Sequence, residues 1–141
     1  MILLDTNVVS AIMKPTPIPA VVSWLNSEKT IDLFLSTVSI AEILYCIEIS
    51  PDGKRRRALE GRFEQFVAHG FEWRILAFDR RAAEIYGELM AHRRAIGRPM
   101  SVLDGQIASI ARAKGFAIAT GNTRDFEACG LTLLNPFETV A

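Results

Sequence analysis

The sequence predicts an α/β fold with three layers (α/β/α), in which helices cover both faces of a central, mostly parallel sheet. Short apolar runs such as Met1–Leu4 are typical of strands that are buried on both faces. Longer segments between these runs carry apolar residues at helical spacing. Because strands that alternate with helices favour a parallel sheet, we expect one domain of this class over residues 1–141.

The first part of the chain already shows this alternation. The strand Met1–Leu4 precedes a short predicted helix, Val8–Met13. That helix must end at the three prolines within residues 15–19, because proline cannot continue a helix. A second short helix is predicted at Val21–Leu25, and the apolar run Ile31–Ser36 predicts the next strand.

The next predicted helix, Ile40–Ile49, is apolar around nearly its whole circumference. A helix without a polar face is buried on more than one side. In a chain of this size the second side is expected to be a subunit interface, so we predict a homodimer.

The second half of the chain continues the alternation with clear helix boundaries. Asp79 and Ser101 favour helix starts, and Gly97 and Gly115 favour helix ends. The predicted elements are the helix Lys54–Gly70, the strand Trp73–Phe78, helices from Asp79 to Gly97 and from Ser101 to Gly115, and the strands Phe116–Thr120 and Leu131–Leu134.

Composition excludes several classes of protein. Half of the residues are hydrophobic, which is typical of a globular domain and not of a disordered chain. Sixteen basic residues balance sixteen acidic ones, which argues against a broad basic surface but not against a local groove. Cys46 and Cys129 lack metal-site spacing and favour a reduced, cytoplasmic protein. The opening apolar run stops at Asp5, so no signal peptide is expected. No membrane span is expected either, because the best candidate stretch is interrupted by Asp32, Glu42 and Glu48.

Four acidic residues lie where a parallel sheet places its functional groups. Asp5 follows the first strand, and Asp125 lies just past a later one. Glu42 and Asp104 lie in the first turns of predicted helices. Carboxyl ends of parallel strands and the adjacent helix starts gather at one edge of the sheet. Carboxylates held together there raise one another's pKa values, and a hard divalent cation such as Mg²⁺ relieves that repulsion.

A simpler explanation is that each acid only caps a helix or a turn. Asp5 is a good N-cap for the helix that follows it. Ser39–Glu42 matches a complete capping box, and Ser101–Asp104 matches a weaker one. Asp125 could cap a turn at residues 126–129. Spacing alone therefore leaves both the cap and the metal interpretations open.

Four segments in chain order resemble the motifs of one family. They are Met1–Asn7, Ser36–Ile43, Leu103–Ala111 and Ala119–Phe126. Together they resemble the PIN-domain ribonucleases, in particular the VapC toxins of bacterial type II toxin–antitoxin pairs. The first segment and the step Asp104–Gly105 are most similar to the FitB-like branch.

The resemblance implies a PIN-like domain that hydrolyses RNA phosphodiester bonds with Mg²⁺, for which Mn²⁺ is a plausible substitute. It implies four catalytic acids: Asp5, Glu42, Asp104 and Asp125. Asp5 and Asp104 would bind the metal directly, and the other two would complete the site through ligation or bound water. Some FitB-like members carry an acid at the position of Asn122, so either Asn122 or Asp125 fills the fourth position.

Three further residues would position water or substrate: Thr6, Thr120 and Asn122. Ordinary turn chemistry explains their hydrogen-bonding groups equally well. Gly105 could admit a phosphate beside Asp104 or simply allow close helix packing. The resemblance also implies a homodimer and a small VapB-like antitoxin whose tail lies in an apolar groove. Candidate walls for that groove are the segment Pro15–Pro19 and the helix after it.

Basic residues in two places could contact an RNA backbone or form ordinary solvated faces. They are the run Lys54–Arg57 and the group Arg93, Arg94 and Arg98.

Two other functions remain open from the sequence. A phosphoryl-transfer enzyme of the haloacid-dehalogenase type needs Asp-x-Asp after its first strand, and here Asn7 stands in the third position. A catalytically silent module that binds RNA or a partner would keep the fold and lose the acids, and all four acids are present.

Overall fold

A computed structural model of the chain describes residues 1–138. Over this range the chain alternates between strands and helices as predicted. The strands are β1 (Ile2–Leu4), β2 (Leu33–Ser36), β3 (Ile75–Leu76), β4 (Ala117–Ala119) and β5 (Leu133–Leu134). The helices are α1 (Thr6–Met13), α2 (Pro19–Ser27), α3 (Thr37–Ile49), α4 (Lys54–Gly70), α5 (Arg80–Ala95) and α6 (Val102–Lys114). Two short 3₁₀ helices span Thr30–Asp32 and Thr123–Phe126.

The five strands form one sheet in the order β3-β2-β1-β4-β5, and all four strand pairs are parallel. The strand β1 lies at the centre, where Leu3 is paired with Phe34 on one side and Ile118 on the other. Directly after it, the amide of Asp5 donates to the carbonyl of Ala119 at 2.9 Å. The predicted parallel sheet is confirmed, and the first strand ends with an acid in the middle of its carboxyl edge.

Two hydrophobic cores lie on opposite faces of the sheet. Leu4 belongs to the core that contains α1, α3 and α4, and Leu3 belongs to the core that contains α5 and α6. Successive strand residues point to opposite faces, so an uninterrupted apolar strand supplies both cores at once. This arrangement confirms the predicted three layers.

Several boundaries differ from those predicted. The helix α1 begins at Thr6, directly after the cap Asp5, and α3 begins at Thr37 because the Ser36 hydroxyl accepts the amide of Ser39 at 3.1 Å. In β3 only two residues pair, and Trp73 is 79% exposed. This strand lies at the sheet edge, where only one neighbour fixes its length.

The outer side of α3 carries exposed apolar residues, as the sequence suggested. Leu44 is 47% exposed, and Tyr45 and Ile49 are both 65% exposed. The predicted homodimer would cover this surface, and it stays a prediction. None of the helices within residues 1–138 is both long and apolar enough to cross a membrane.

Candidate active site

Asp5 is the most buried of the four acids, with 4% of its surface exposed. It caps α1, and its Oδ1 accepts the amide of Thr6 at 2.8 Å. Its Oδ2 accepts the hydroxyl of Thr120, which follows β4, also at 2.8 Å. The cap interpretation of Asp5 is therefore correct, but only one of its two oxygens makes that bond.

Thr6 links Asp5 to the second acid. Its Oγ1 lies 3.2 Å from Oε1 of Glu42 and 2.9 Å from Oγ of Ser39. A hydroxyl donates one hydrogen, and a carboxylate is the stronger acceptor, so Thr6 donates to Glu42 and accepts from Ser39. This places Glu42 beside the end of β1.

The capping box predicted at Ser39–Glu42 is wrong. Ser36 is the N-cap of α3, and Ser39 lies buried inside the helix. The carboxylate of Glu42 is consequently in the second turn, too far along the helix to bond the amide of its cap. With the capping role excluded, its side chain is free to serve the site.

Asp104 lies in the first turn of α6, and the Ser101 hydroxyl caps that helix by accepting the Asp104 amide at 3.2 Å. The neighbouring Gly105 packs against α5: a Cβ there would lie 2.4 Å from Sδ of Met90 and 3.0 Å from Cε2 of Tyr86. These distances support the packing explanation for Gly105, because its side of the helix faces other side chains.

Burial and mutual repulsion raise the pKa values of three acids. The pKa of Asp5 is raised to about 6, chiefly by burial and further by the charges of Asp104 and Glu42, although the bonds from Thr120 and Thr6 oppose the rise. Burial is also the main cause of the raised pKa values of Glu42 and Asp104. The charge of Asp104 adds to the rise at Glu42, and the charge of Asp125 adds to that at Asp104. The acids are thus electrostatic neighbours.

Asp5, Glu42 and Asp104 line one cavity of about 450 Å³. The remaining lining residues are Thr6, Asn7, Ser10, Ala11, Lys14, Ile18, Cys46, Asn122 and Phe137. Of the residues predicted to position water or substrate, Thr6 and Asn122 lie in this wall, and Thr120 lies buried behind it. The structure therefore brings the predicted acids from β1, α3 and α6 to one place.

Asp125 is placed differently from the other acids. It is exposed within the 3₁₀ helix Thr123–Phe126, is not the cap of that helix, and does not line the cavity. Asn122 does line the cavity, and its backbone amide donates to the Thr120 hydroxyl at 2.9 Å. The role of Asp125 as the fourth catalytic acid stays a prediction.

The donor set suits a hard cation that keeps part of its water. Within residues 1–138, no three His, Cys, Asp or Glu side chains stand close enough together to hold an ion by themselves. Mg²⁺ typically takes one or two carboxylates and retains several waters. Carboxylates that share a cavity and repel one another meet that requirement without a closed cage of protein ligands.

Some of the basic residues predicted to contact RNA are instead bonded to other groups of the protein. Arg93 is 4% exposed, and its guanidinium donates to the carbonyls of Arg98 and Glu127. It is therefore a structural residue and cannot reach RNA. Arg56 donates to Glu48 and Glu60 at 2.8 and 2.9 Å. Lys14, which sequence reasoning did not single out, lines the acidic cavity.

Two other wall residues were also missed. Asn7 belongs to the first motif, and its amide oxygen accepts the Gly121 amide at 3.2 Å while its Nδ2 lies 3.3 Å from Oγ1 of Thr120. Its position two residues after Asp5 could have indicated this role. Phe137 gave no such signal, because its place depends on how the chain returns after β5.

Comparison with known proteins identifies the family. Residues 2–130 match the family model of the PIN domain. The VapC ribonuclease Y4jK of Sinorhizobium fredii is 40% identical over 138 residues, which cover 98% of this chain and 99% of that protein. Toxin FitB of Neisseria gonorrhoeae is 36% identical over 137 residues, which cover 97% and 99% of the two chains.

A solved structure agrees with these relatives. The structure of FitAB bound to the IR36 DNA fragment has a TM-score of 0.93 and 35% identity, and the match covers 100% of this chain and 99% of that chain. The predicted resemblance is confirmed over the whole length. The chain therefore belongs to the PIN-domain family, among its VapC- and FitB-like proteins.

Proposed function

We propose that the chain is a Mg²⁺-dependent endoribonuclease that acts in the cytoplasm as the toxin of a toxin–antitoxin pair. The observation that carries this proposal is the cavity that Asp5, Glu42 and Asp104 line together, each with a raised pKa. The similarity to the VapC ribonuclease Y4jK over nearly the whole of both chains supports RNA as the substrate class.

In this proposal Asp5 and Asp104 bind Mg²⁺ directly, and Glu42 and Asp125 complete the site through ligation or bound water. Mn²⁺ is expected to substitute because it has the same preference for oxygen ligands. Bound Mg²⁺ supplies charge that lowers the pKa of a water and offsets the negative charge that develops on the phosphate. The raised pKa values support metal binding, because a cation relieves the repulsion that helps to raise them.

The chain's own residues orient the acids. Thr120 donates to Oδ2 of Asp5, which fixes the carboxylate plane and leaves Oδ1 toward the start of α1. Thr6 donates to Glu42 and restrains its side chain beside the cavity. Lys14 at the rim offers a positive charge to a phosphate, and Asn122 offers an amide for water or the sugar–phosphate chain.

We also propose that a small VapB-like antitoxin silences the enzyme. The support is a second, apolar cavity of about 390 Å³, which shares Thr6, Ser10, Lys14 and Cys46 with the acidic one. Its apolar lining consists of Met13, Pro15, Ile43, Ile47 and Leu59. An apolar tail seated there would reach the acids with a basic side chain, which the three carboxylates would attract.

This groove differs from the one we expected. Pro15 is part of it, but the opposite wall comes from α3 and α4, and α2 does not contribute. The relatives solved as antitoxin–toxin complexes, FitAB among them, support a partner of this kind. Recovery of a small protein with the tagged chain from its native operon is the expected result, and purification of the chain alone would contradict this part of the proposal.

The decisive experiment for the nuclease is the substitution Asp104→Asn, paired with Glu42→Gln. Both changes remove a charge and nearly preserve shape. We expect RNA cleavage to fall by orders of magnitude, and Mg²⁺ to lose much of its ability to raise the melting temperature. In EDTA each variant should be at least as stable as the unchanged chain, because repulsion is relieved.

The measurements are melting curves in EDTA and in millimolar Mg²⁺, together with mapping of RNA 5′ ends after brief expression in cells. Asp52→Asn is a matched control, since Asp52 is exposed and does not line the acidic cavity. If Asp104→Asn leaves cleavage and the Mg²⁺ response unchanged, the acidic cavity is not the catalytic site and the proposed mechanism is wrong. If the unchanged chain itself cleaves no RNA in Mg²⁺, the silent binding module is the better description.

A further inference from the structure

The ring of Phe137 lies against Gly121 in the wall of the acidic cavity. A Cβ at position 121 would lie 2.7 Å from Cδ2 and 2.8 Å from Cε2 of Phe137, closer than carbon atoms approach. Gly121 does not have a positive φ. Glycine at this position therefore makes room for the ring, and the backbone conformation alone would not require it.

The ring is close to the catalytic acids in the proposed site. Gly121 directly follows Thr120, whose hydroxyl holds Oδ2 of Asp5 at 2.8 Å. The Gly121 amide is in turn held by the side chain of Asn7 at 3.2 Å. Phe137 and Asn122 line the same cavity as the acids. An aromatic side chain thus stands beside the place where a phosphate would bind.

The backbone that carries the ring is also held by hydrogen bonds within the chain. The amide of Phe137 donates to Oδ1 of Asn135 at 2.9 Å, which closes a turn directly after β5. The strand β5 is anchored to the site, because the amide of Thr120 donates to the carbonyl of Leu134 at 2.9 Å. Because the ring also packs against Gly121 and the core that contains Leu4, it should lose less entropy on binding than a free side chain would.

We propose that Phe137 is a stacking platform for an RNA base next to the phosphate that is cleaved. Unpaired RNA bases stack on aromatic side chains, and every base offers a flat face for this contact. The side-chain amide of Asn122 in the same wall suits the sugar and base edges. This inference rests on the proposed ribonuclease function and adds a subsite to it.

A purely structural role is the alternative that must be separated. Phe137 also packs against the core that contains Leu4, so its loss could weaken binding by loosening the fold. Phe66 provides a matched control, because it is likewise partly buried against that core and does not line the acidic cavity. Phe66→Leu removes the same ring from the same core without touching the proposed subsite.

The experiment compares Phe137→Leu with Phe66→Leu in the Asp104→Asn background, which prevents cleavage. The probe is a short single-stranded RNA that spans the cleavage site mapped in cells. We expect Phe137→Leu to weaken binding by about 5- to 140-fold, which is about 1–3 kcal/mol at about 1.4 kcal/mol for each factor of ten. Phe66→Leu should leave RNA affinity unchanged, and Phe137→Trp should retain it.

A second probe makes the test independent of stability. One abasic ribose is placed at successive positions of the same RNA. At the stacked position it should weaken binding to the chain with Phe137 and have almost no further effect on the Leu variant, because the two changes remove one contact. Equal losses in both proteins at every position would overturn the stacking subsite. Cleavage by the unchanged enzyme would then still support the nuclease, whereas failure of the unchanged chain to cleave or bind any RNA would overturn both.

Discussion

Burial of the Asp5 carboxylate should make the metal-free protein less stable as the pH rises. The folded chain raises the pKa of Asp5 from its ordinary 3.8 to about 6. Between these values the folded state binds more protons than the unfolded state, so the free energy of unfolding falls with increasing pH. A pKa difference of this size corresponds to about 3 kcal/mol, at about 1.36 kcal/mol for each pH unit.

Asp5→Asn should remove this dependence. The amide oxygen can still accept the Thr6 amide, but Nδ2 cannot accept the Thr120 hydroxyl, a loss of about 1 kcal/mol. At neutral pH the variant should therefore be more stable than the unchanged chain by about 2 kcal/mol, since it avoids the buried charge. Below the ordinary pKa of Asp5 it should be less stable by about 1 kcal/mol.

Urea unfolding in EDTA at a series of pH values measures this difference directly. Glu42 and Asp104 also have raised pKa values, but they are present in both proteins, so the difference isolates Asp5. Thr120→Val is a useful second variant. It keeps the carboxyl and removes the bond that favours its charged form, so the fall in stability should extend to higher pH. A stability difference between Asp5→Asn and the unchanged chain that is constant across this pH range would refute the reasoning.

Two further predictions concern stability away from the acids. Arg93→Met should destabilise the fold by about 3 kcal/mol in urea unfolding, because the buried side chain at position 93 no longer donates to the carbonyls of Arg98 and Glu127. Arg93→Lys should recover part of the loss, and an unchanged midpoint for Arg93→Met would contradict the role of this residue. Ser36→Ala should lower the free energy of unfolding by about 1–2 kcal/mol, because it removes the buried cap of α3. Ser36→Thr should retain the cap, and equal stability of the two variants would show that the cap contributes nothing.

The sequence predicted what depends on strand patterns and on general rules of sheet topology. The uninterrupted apolar strand β1 indicated a central position, and the rule that carboxyl ends share one edge brought Asp5, Glu42 and Asp104 together. The family motifs assigned the same residues. These signals are local in sequence or follow from the parallel connection alone.

The sequence did not predict two kinds of feature. One depends on which of two similar residues near each other caps a helix, and the other depends on contacts between distant parts of the chain. Ser36 and Ser39 are both good caps within four residues, and the selection of Ser36 leaves the Ser39 hydroxyl to donate to Thr6 in another element. Phe137 reaches the cavity only because β5 returns beside β4 and the next turn carries the ring over Gly121. No local pattern encodes either contact.

The distance along the chain between the two halves of the site has a consequence for how the protein is made. Asp5 and Thr120, which bond each other, are 115 positions apart, and β1 lacks one of its two neighbours until β4 has been synthesised. Contacts this distant form late, because the cost of closing the intervening loop must be met first. While β4 is still inside the ribosome, the nascent chain therefore cannot assemble the acidic cavity. The complete wall of the cavity, which includes Asn122 and Phe137, therefore exists only after β5 and the turn that follows it have been synthesised.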